Sequence, residues 1–307
     1  MGEDEEMIFW VEDALFEEHA TRDVDRIALL RGATNRRHTL IISDSPERLH
    51  FRMKAQYQTH FRRWVGGLSE QLQKEILFLE ESLRWVSANA STRGAERVHV
   101  RVVPREDEGV LCLGFQDAIH LAGLPLSCLV ENVVNDPIFL RRCMPPAWRE
   151  QLEAWEKAGL FQFEHGGGLG NIGQIVKAFG EQDVWRLTHA IVFDHDGKDK
   201  NKPSQQSLDL MEEIKKRGLR QRAHRLQRKK QENYIPPQAM QLMSRGGAVT
   251  TFLKHDPEER RFREVPKVCK NGFSKFDAKI EWDDAWFDED GCWPEMKEIA
   301  ELLAAAM

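Results

Sequence analysis

Hydrophobic and polar positions follow two different rhythms along this chain. Over the first 120 or so residues the clearest is a ladder at Val65, Leu68, Leu72, Ile76, Leu79, Leu83 and Val86, with steps of 3, 4, 4, 3, 4 and 3. Steps of that size return to one side of a helical turn, so the ladder predicts a single helix of about 25 residues with one apolar stripe. The stripe suits core packing, with a partner-binding or dimerising helix as the alternative; at under four heptads it is too short to argue a coiled coil. Residues 8–19 carry a shorter amphipathic pattern. Residues 87–94, S-A-N-A-S-T-R-G, read as a loop, and 98–103 alternate as a half-buried strand does. The expectation for 1–122 is a mainly helical α+β region making partner or DNA contacts.

Beyond about residue 124 short apolar runs alternate with helical segments. Strands are expected at 126–130, 161–163, 187–193 and 221–226, and helices at 138–142, 148–158, 172–179 and 207–217. That β-α-β-α-β-α-β order implies an α/β fold, a parallel sheet with helical crossovers. The sheet is expected within 123–245. The remaining 246–307 is read as an extension that completes this half and ends in a helix over 293–305, with Pro294 in its first turn. No internal repeat and no low-complexity tract stands out.

Composition narrows the class. The chain has 307 residues, 41% hydrophobic and 31% charged, enough apolar material for a sizeable core. No apolar run approaches the ~20 residues that cross a bilayer. The start, M-G-E-D-E-E, is acidic, unlike a secretory or transit signal. A cytoplasmic protein without membrane contact is expected. Cys112, Cys128, Cys143, Cys269 and Cys292 form no C-x-x-C pair and are odd in number, so neither a zinc ribbon nor a disulfide framework is expected. The formal net charge of -6 rules out a globally basic polyanion binder, but not a local basic patch.

Ligands of an open parallel sheet bind beyond the carboxyl ends of its strands. The first strand runs into Glu131, with Asn135 and Asp136 in the next turn; the third ends in Asp194-His195-Asp196-Gly197. The second is followed by Glu164-His165-Gly166-Gly167-Gly168, and the fourth by Lys229-Lys230-Gln231-Glu232-Asn233-Tyr234. Carboxylates gathered on one edge repel one another unless protons or cations neutralise them. Hard cations such as Mg²⁺ take oxygen ligands, and two of them about 4 Å apart serve phosphodiester cleavage. The glycine run allows a tight turn or close approach to a ligand; a plain strand-to-helix turn explains it equally well. Residues 215–230 hold nine positive charges and no acid. A solvated helix face would account for them, but beside a carboxylate edge they fit a polyanion track better. Arg222, Arg225, Arg228, Lys229 and Lys230 are the candidate nucleic-acid contacts.

Leu129-Val130-Glu131, the glycine turn, Val192-Phe193-Asp194-His195-Asp196 and Arg228-Lys229-Lys230-Gln231-Glu232-Asn233-Tyr234-Ile235-Pro236 together resemble a Toprim domain over about 124–240. The flavour is that of OLD-family nucleases and related Toprim proteins of bacterial antiphage defence. The resemblance implies a Mg²⁺- or Mn²⁺-dependent endonuclease, with DNA favoured over RNA, holding one or two ions. It assigns Glu131, Asp194 and Asp196 to metal binding and catalysis, Glu232 and Asp136 to further metal contacts, and Lys275 to stabilising transition-state charge. The family's second acid, four residues after the first Glu, is here Asn135, with Asp136 one later. OLD proteins carry an ATPase domain; this chain has no G-x-x-x-x-G-K-[ST] loop, so a separate ATPase subunit is implied, and a homo-oligomer is compatible. Two rivals stand beside it. One is a catalytically inactive Toprim-like scaffold, suggested by Asn135. The other is a haloacid-dehalogenase-like phosphatase, with Asp194 as nucleophile and Asp283-Asp284 as its later acids; Lys198 stands where that family has Thr or Val.

Overall fold

The structure, a computed structural model, describes residues 7–18, 20–33, 38–45, 55–89, 97–101, 111–179 and 187–306. The chain forms two compact units, 1–125 and 126–306.

In the first unit, strands β1 (Met7–Glu12), β2 (His38–Ser43), β3 (Arg97–Arg101) and β4 (Leu111–Gly114) pair in parallel in the order β2-β1-β3-β4. Helices α1 (Asp23–Ala33), α2 (Thr59–Gly67), α3 (Glu70–Asn89) and α4 (Phe115–Gly123) accompany them. This region is therefore α/β with a parallel sheet of its own, where the sequence predicted α+β. Its first strand was hidden because Phe9, Trp10 and Val11 are all buried, and a centre strand covered on both faces shows no alternation. The expected single helix is two. The chain leaves α2 after Gly66-Gly67, and Leu68 takes an extended backbone at φ -77, ψ 163. Buried Asp13 fixes the start of α2 by accepting the N–H groups of His60 (2.8 Å) and Phe61 (2.9 Å). Residues 87–89 of the expected loop belong to α3, and 90–94 lie outside the described residues.

The second unit carries β5 (Leu126–Val130), β6 (Phe161–His165), β7 (His189–Phe193) and β8 (Ala223–Arg225), all parallel, in the order β6-β5-β7-β8. The crossovers are α5 (Asp136–Cys143) with α6 (Pro146–Lys157), then α7 (Leu169–Ala178), then α8 (Gln205–Lys216). Every residue of β5 and β7 is buried, as helices on both faces require. Leu129, Ile191 and Phe193 pack there with Ile172 and Val176 of α7 and Leu210 and Ile214 of α8. The C-terminal helix Trp293–Ala306 packs on β7 and β8. Among the described residues no helix is long and apolar enough to cross a membrane, and all five cysteines are free thiols.

Candidate functional site

The chain leaves β5 for one flank of the second sheet, at β6, and then crosses to the other, at β7. The strand order therefore reverses between β5 and β7, and a crevice at such a point is where open α/β sheets take ligands. Glu131 follows β5 and Asp194 follows β7, so both stand at that crevice. The Asp194 N–H donates to Glu131 Oε1 at 2.9 Å. Residues 63 apart in sequence are thereby joined at one point.

Local chemistry sets each remaining acid. Gly166 donates to the Val130 carbonyl at 2.6 Å, and a Cβ there would lie 2.3 Å from Ile172 and 2.8 Å from that carbonyl oxygen. Gly167 and Gly168 take φ of +72 and +92, conformations that side chains disfavour. The turn they make is tied to the end of β5 by the Gly167 N–H on the Glu131 carbonyl at 3.1 Å, and α7 begins directly after it. Asn132 Oδ1 accepts the N–H groups of Val134 (2.9 Å) and Asn135 (3.2 Å), and this side-chain turn lets Asp136 Oδ2 accept the Asn132 N–H at 2.8 Å. Asp196 sits at φ +54, its N–H on the Lys229 carbonyl at 2.7 Å and its Oδ1 3.1 Å from Lys230 Nζ. Glu232 accepts the N–H of Asn271 at 3.1 Å. Asn271 holds φ +53, its Oδ1 accepts from Asn135 Nδ2 (3.3 Å), and Asn135 Oδ1 in turn accepts from Ser274 Oγ (2.6 Å).

Glu131, Asp136 and Asp194 raise the proton affinity of one another, and the charges of Asp196 and Glu232 add to the rise. Burial pushes Asp194 well above the carboxylate range, and the charges of Glu131, Asp136, Asp196 and Glu232 push it further. Burial, with Glu131 and Glu232, lifts Asp136 to about 7. Burial also raises Glu131, with Asp196 adding to the rise; the Asp194 N–H and Lys230 oppose it. Burial works against the Lys230 charge, but its hydrogen bond to Asp196 and the charges of Asp196 and Asp194 outweigh it and raise its pKa. Among the described residues, no group of three or more His, Cys, Asp or Glu side chains is poised to hold a metal ion. The bonds above give a physical reason: carboxylate oxygens are turned onto backbone N–H groups and onto one lysine. The donor set itself is all oxygen and over-charged for its burial, which fits a hard divalent cation.

Other sequence candidates lie differently. Arg228 is buried; it pairs with Asp290, donates to the carbonyls of Asn233 (3.0 Å) and Asp290 (2.7 Å), and stacks over Tyr234. That correction removes it from the candidate nucleic-acid contacts. Lys229 pairs with Glu264 and Lys230 with Asp196. Arg222 donates to the carbonyls of Leu187 and Ala306, and Arg225 is half-buried beside Arg220. Lys275 is exposed over the Phe276 ring, one turn beyond Asn271. In the Glu-Asn-Tyr segment only the Glu faces the acids. Asn233 donates to the carbonyls of Arg260 and Arg263, both at 2.8 Å, and Tyr234 donates to buried Glu295 at 2.6 Å. The phosphatase rival's later acids are engaged elsewhere: Asp283 caps its helix through the Ala285 N–H, and Asp284 pairs with Arg149. Sequence reasoning missed the Asn135, Asn271 and Ser274 relay; the Asn271-Gly272 dipeptide, a turn signal, was its one trace. No family model, no curated protein and no solved structure matches this chain.

Proposed function

We propose that the second unit is a Toprim-like, divalent-metal-dependent nuclease that hydrolyses phosphodiester bonds, DNA being the favoured substrate. The observation that carries this reading is the meeting of Glu131 and Asp194 at the reversal point of a parallel sheet, with Asp136 buried beside them and all three carboxyls raised. Glu131, Asp194 and Asp196 would hold Mg²⁺ or Mn²⁺, with Asp136 and Glu232 beside them. Such an ion supplies a water activated at neutral pH and charge neutralisation of the phosphate. The chain's own groups do the rest. The Asp194 N–H orients Glu131. Lys230 holds Asp196 in place. Lys275 is the candidate to meet charge developing on the phosphate. A defence role under a separate ATPase subunit, in the cytoplasm, belongs to the same proposal through the family resemblance.

The test is cleavage of supercoiled DNA by the full chain with Mg²⁺ or Mn²⁺. Nicked or linear product is expected, lost with EDTA and reduced at least about 100-fold in Glu131→Ala and Asp194→Asn. The reading falls if both metals leave DNA and RNA intact, or if small phosphoesters release free phosphate instead.

A further inference from the structure

Most of the basic run over 215–230 is engaged by other groups of the fold. Lys216 pairs with Glu212, Arg217 with Glu213, Arg228 with Asp290, Lys229 with Glu264 and Lys230 with Asp196. Arg222 and Arg220 donate to carbonyl oxygens. Exposed positive charge also lies on a segment the sequence reading did not single out as basic. Lys267, Lys270, Lys275 and Lys279 are all exposed. The one acid among 266–279 is Asp277, which is neutralised by Arg142 at 2.6 Å.

This segment is fastened to the acid cluster. The Asn271 N–H donates to Glu232, Asn135 bonds Asn271, and Ser274 bonds Asn135. Lys270 directly precedes the first of these anchors. The bond of the neighbouring Asn271 N–H to Glu232, at 3.1 Å, places the Lys270 backbone at the same edge. Lys275 and Lys279 stand 5.2 and 5.8 Å from the Phe276 ring, so two ammonium groups are held over one short stretch.

We propose that Lys267, Lys270 and Lys279 form the phosphate-binding track that leads a nucleic-acid backbone to the five carboxylates, and that the 215–230 run does not. The inference rests on the nuclease reading and deepens it. An acidic crevice repels a polyanion; exposed lysines on a segment anchored to it through Asn271 and Ser274 offset that repulsion, and each phosphate contact adds counterion-release affinity.

Binding of a fluorescent DNA duplex by the full chain in Ca²⁺ buffer, across a salt series, tests it. Lys267→Gln/Lys270→Gln/Lys279→Gln is compared with the charge-matched Lys177→Gln/Lys215→Gln/Lys216→Gln. The control lysines sit at the ends of α7 and α8, at the sheet edge opposite the acids. The track variant is expected to bind at least about tenfold more weakly and to lose roughly 3 from the log–log salt slope, with the control near wild type. Equal losses in both variants, or no loss in the track variant, overturn the track. Wild-type protein that binds DNA through the track but leaves it uncut in Mg²⁺ and Mn²⁺ overturns the nuclease reading alone; failure of wild type to bind overturns both.

Discussion

At the scale of single residues, the second unit separates two kinds of buried charge. Arg228 with Asp290, and Glu295 with Tyr234 and His224, are matched donors and acceptors. Removing one member strands the other, so Arg228→Met should cost about 3–5 kcal/mol in urea unfolding. Glu131, Asp136 and Asp194 are unmatched, and the opposite sign follows for them. An acid with a raised folded pKa stabilises below its unfolded value, and that stability is lost as pH rises through the folded one. For Asp136 the window runs from its ordinary value of 3.8 to about 7. The metal-free protein should therefore unfold at lower urea at pH 8 than at pH 5, provided other titrations are subtracted with the Asp136→Asn variant. Asp194→Asn should raise metal-free stability at pH 8, by ~1.4 kcal/mol for each unit of pKa rise removed, while abolishing cleavage. A pH-independent stability between 5 and 8 would contradict the repulsion on which the site depends.

At the scale of elements, strand ends and helix starts do the positioning. The glycine turn after β6 is the sharpest case, because its Gly166 and Gly167 N–H groups bond the carbonyls of Val130 and Glu131 and so tie the start of α7 to the end of β5. A methyl group at Gly166 meets both the Ile172 side chain and the Val130 carbonyl. Gly166→Ala should cost about 1–3 kcal/mol and lower cleavage more than its stability loss explains, as followed by thermal melts and DNA nicking. Much of this framework was legible in the sequence. The run 126–130 is β5 residue for residue, and the crossover helices of the second unit and its last helix lie within a few residues of their expected places, whereas the short helices between residues 237 and 289 were not expected. Of the N-terminal sheet only β3 was legible, in the alternation over 98–103. β1 is buried over Phe9, Trp10 and Val11 and shows no alternation there, and two helices in sequence kept a shared ladder across the Gly67–Leu68 break.

At the scale of the whole molecule, both units use the same strand order, second-first-third-fourth, all parallel. In the first unit the acid after β1, Asp13, is consumed as a helix cap; in the second the acids remain mutually repelling. A cation that binds only the folded second unit must stabilise it by mass action. Saturating Mg²⁺ or Mn²⁺, at about 100 times its dissociation constant, should add ~2.7 kcal/mol to unfolding, and Asp194→Asn should lose most of that gain. Differential scanning calorimetry of the full chain with and without metal measures it; no metal-dependent shift would leave the carboxylates without a cation.

What the sequence determined by itself was the alternation of strands and helices in the second unit and the acids at its strand ends. Both are local: a strand's burial and the residue that follows it are written in consecutive positions. The tertiary structure alone decided how charges are shared out. Whether Arg228 faces a phosphate or Asp290, and whether Lys270 has a partner, depends on groups tens of residues away. Such pairings follow from which helices pack together, and one-dimensional charge runs carry no record of that.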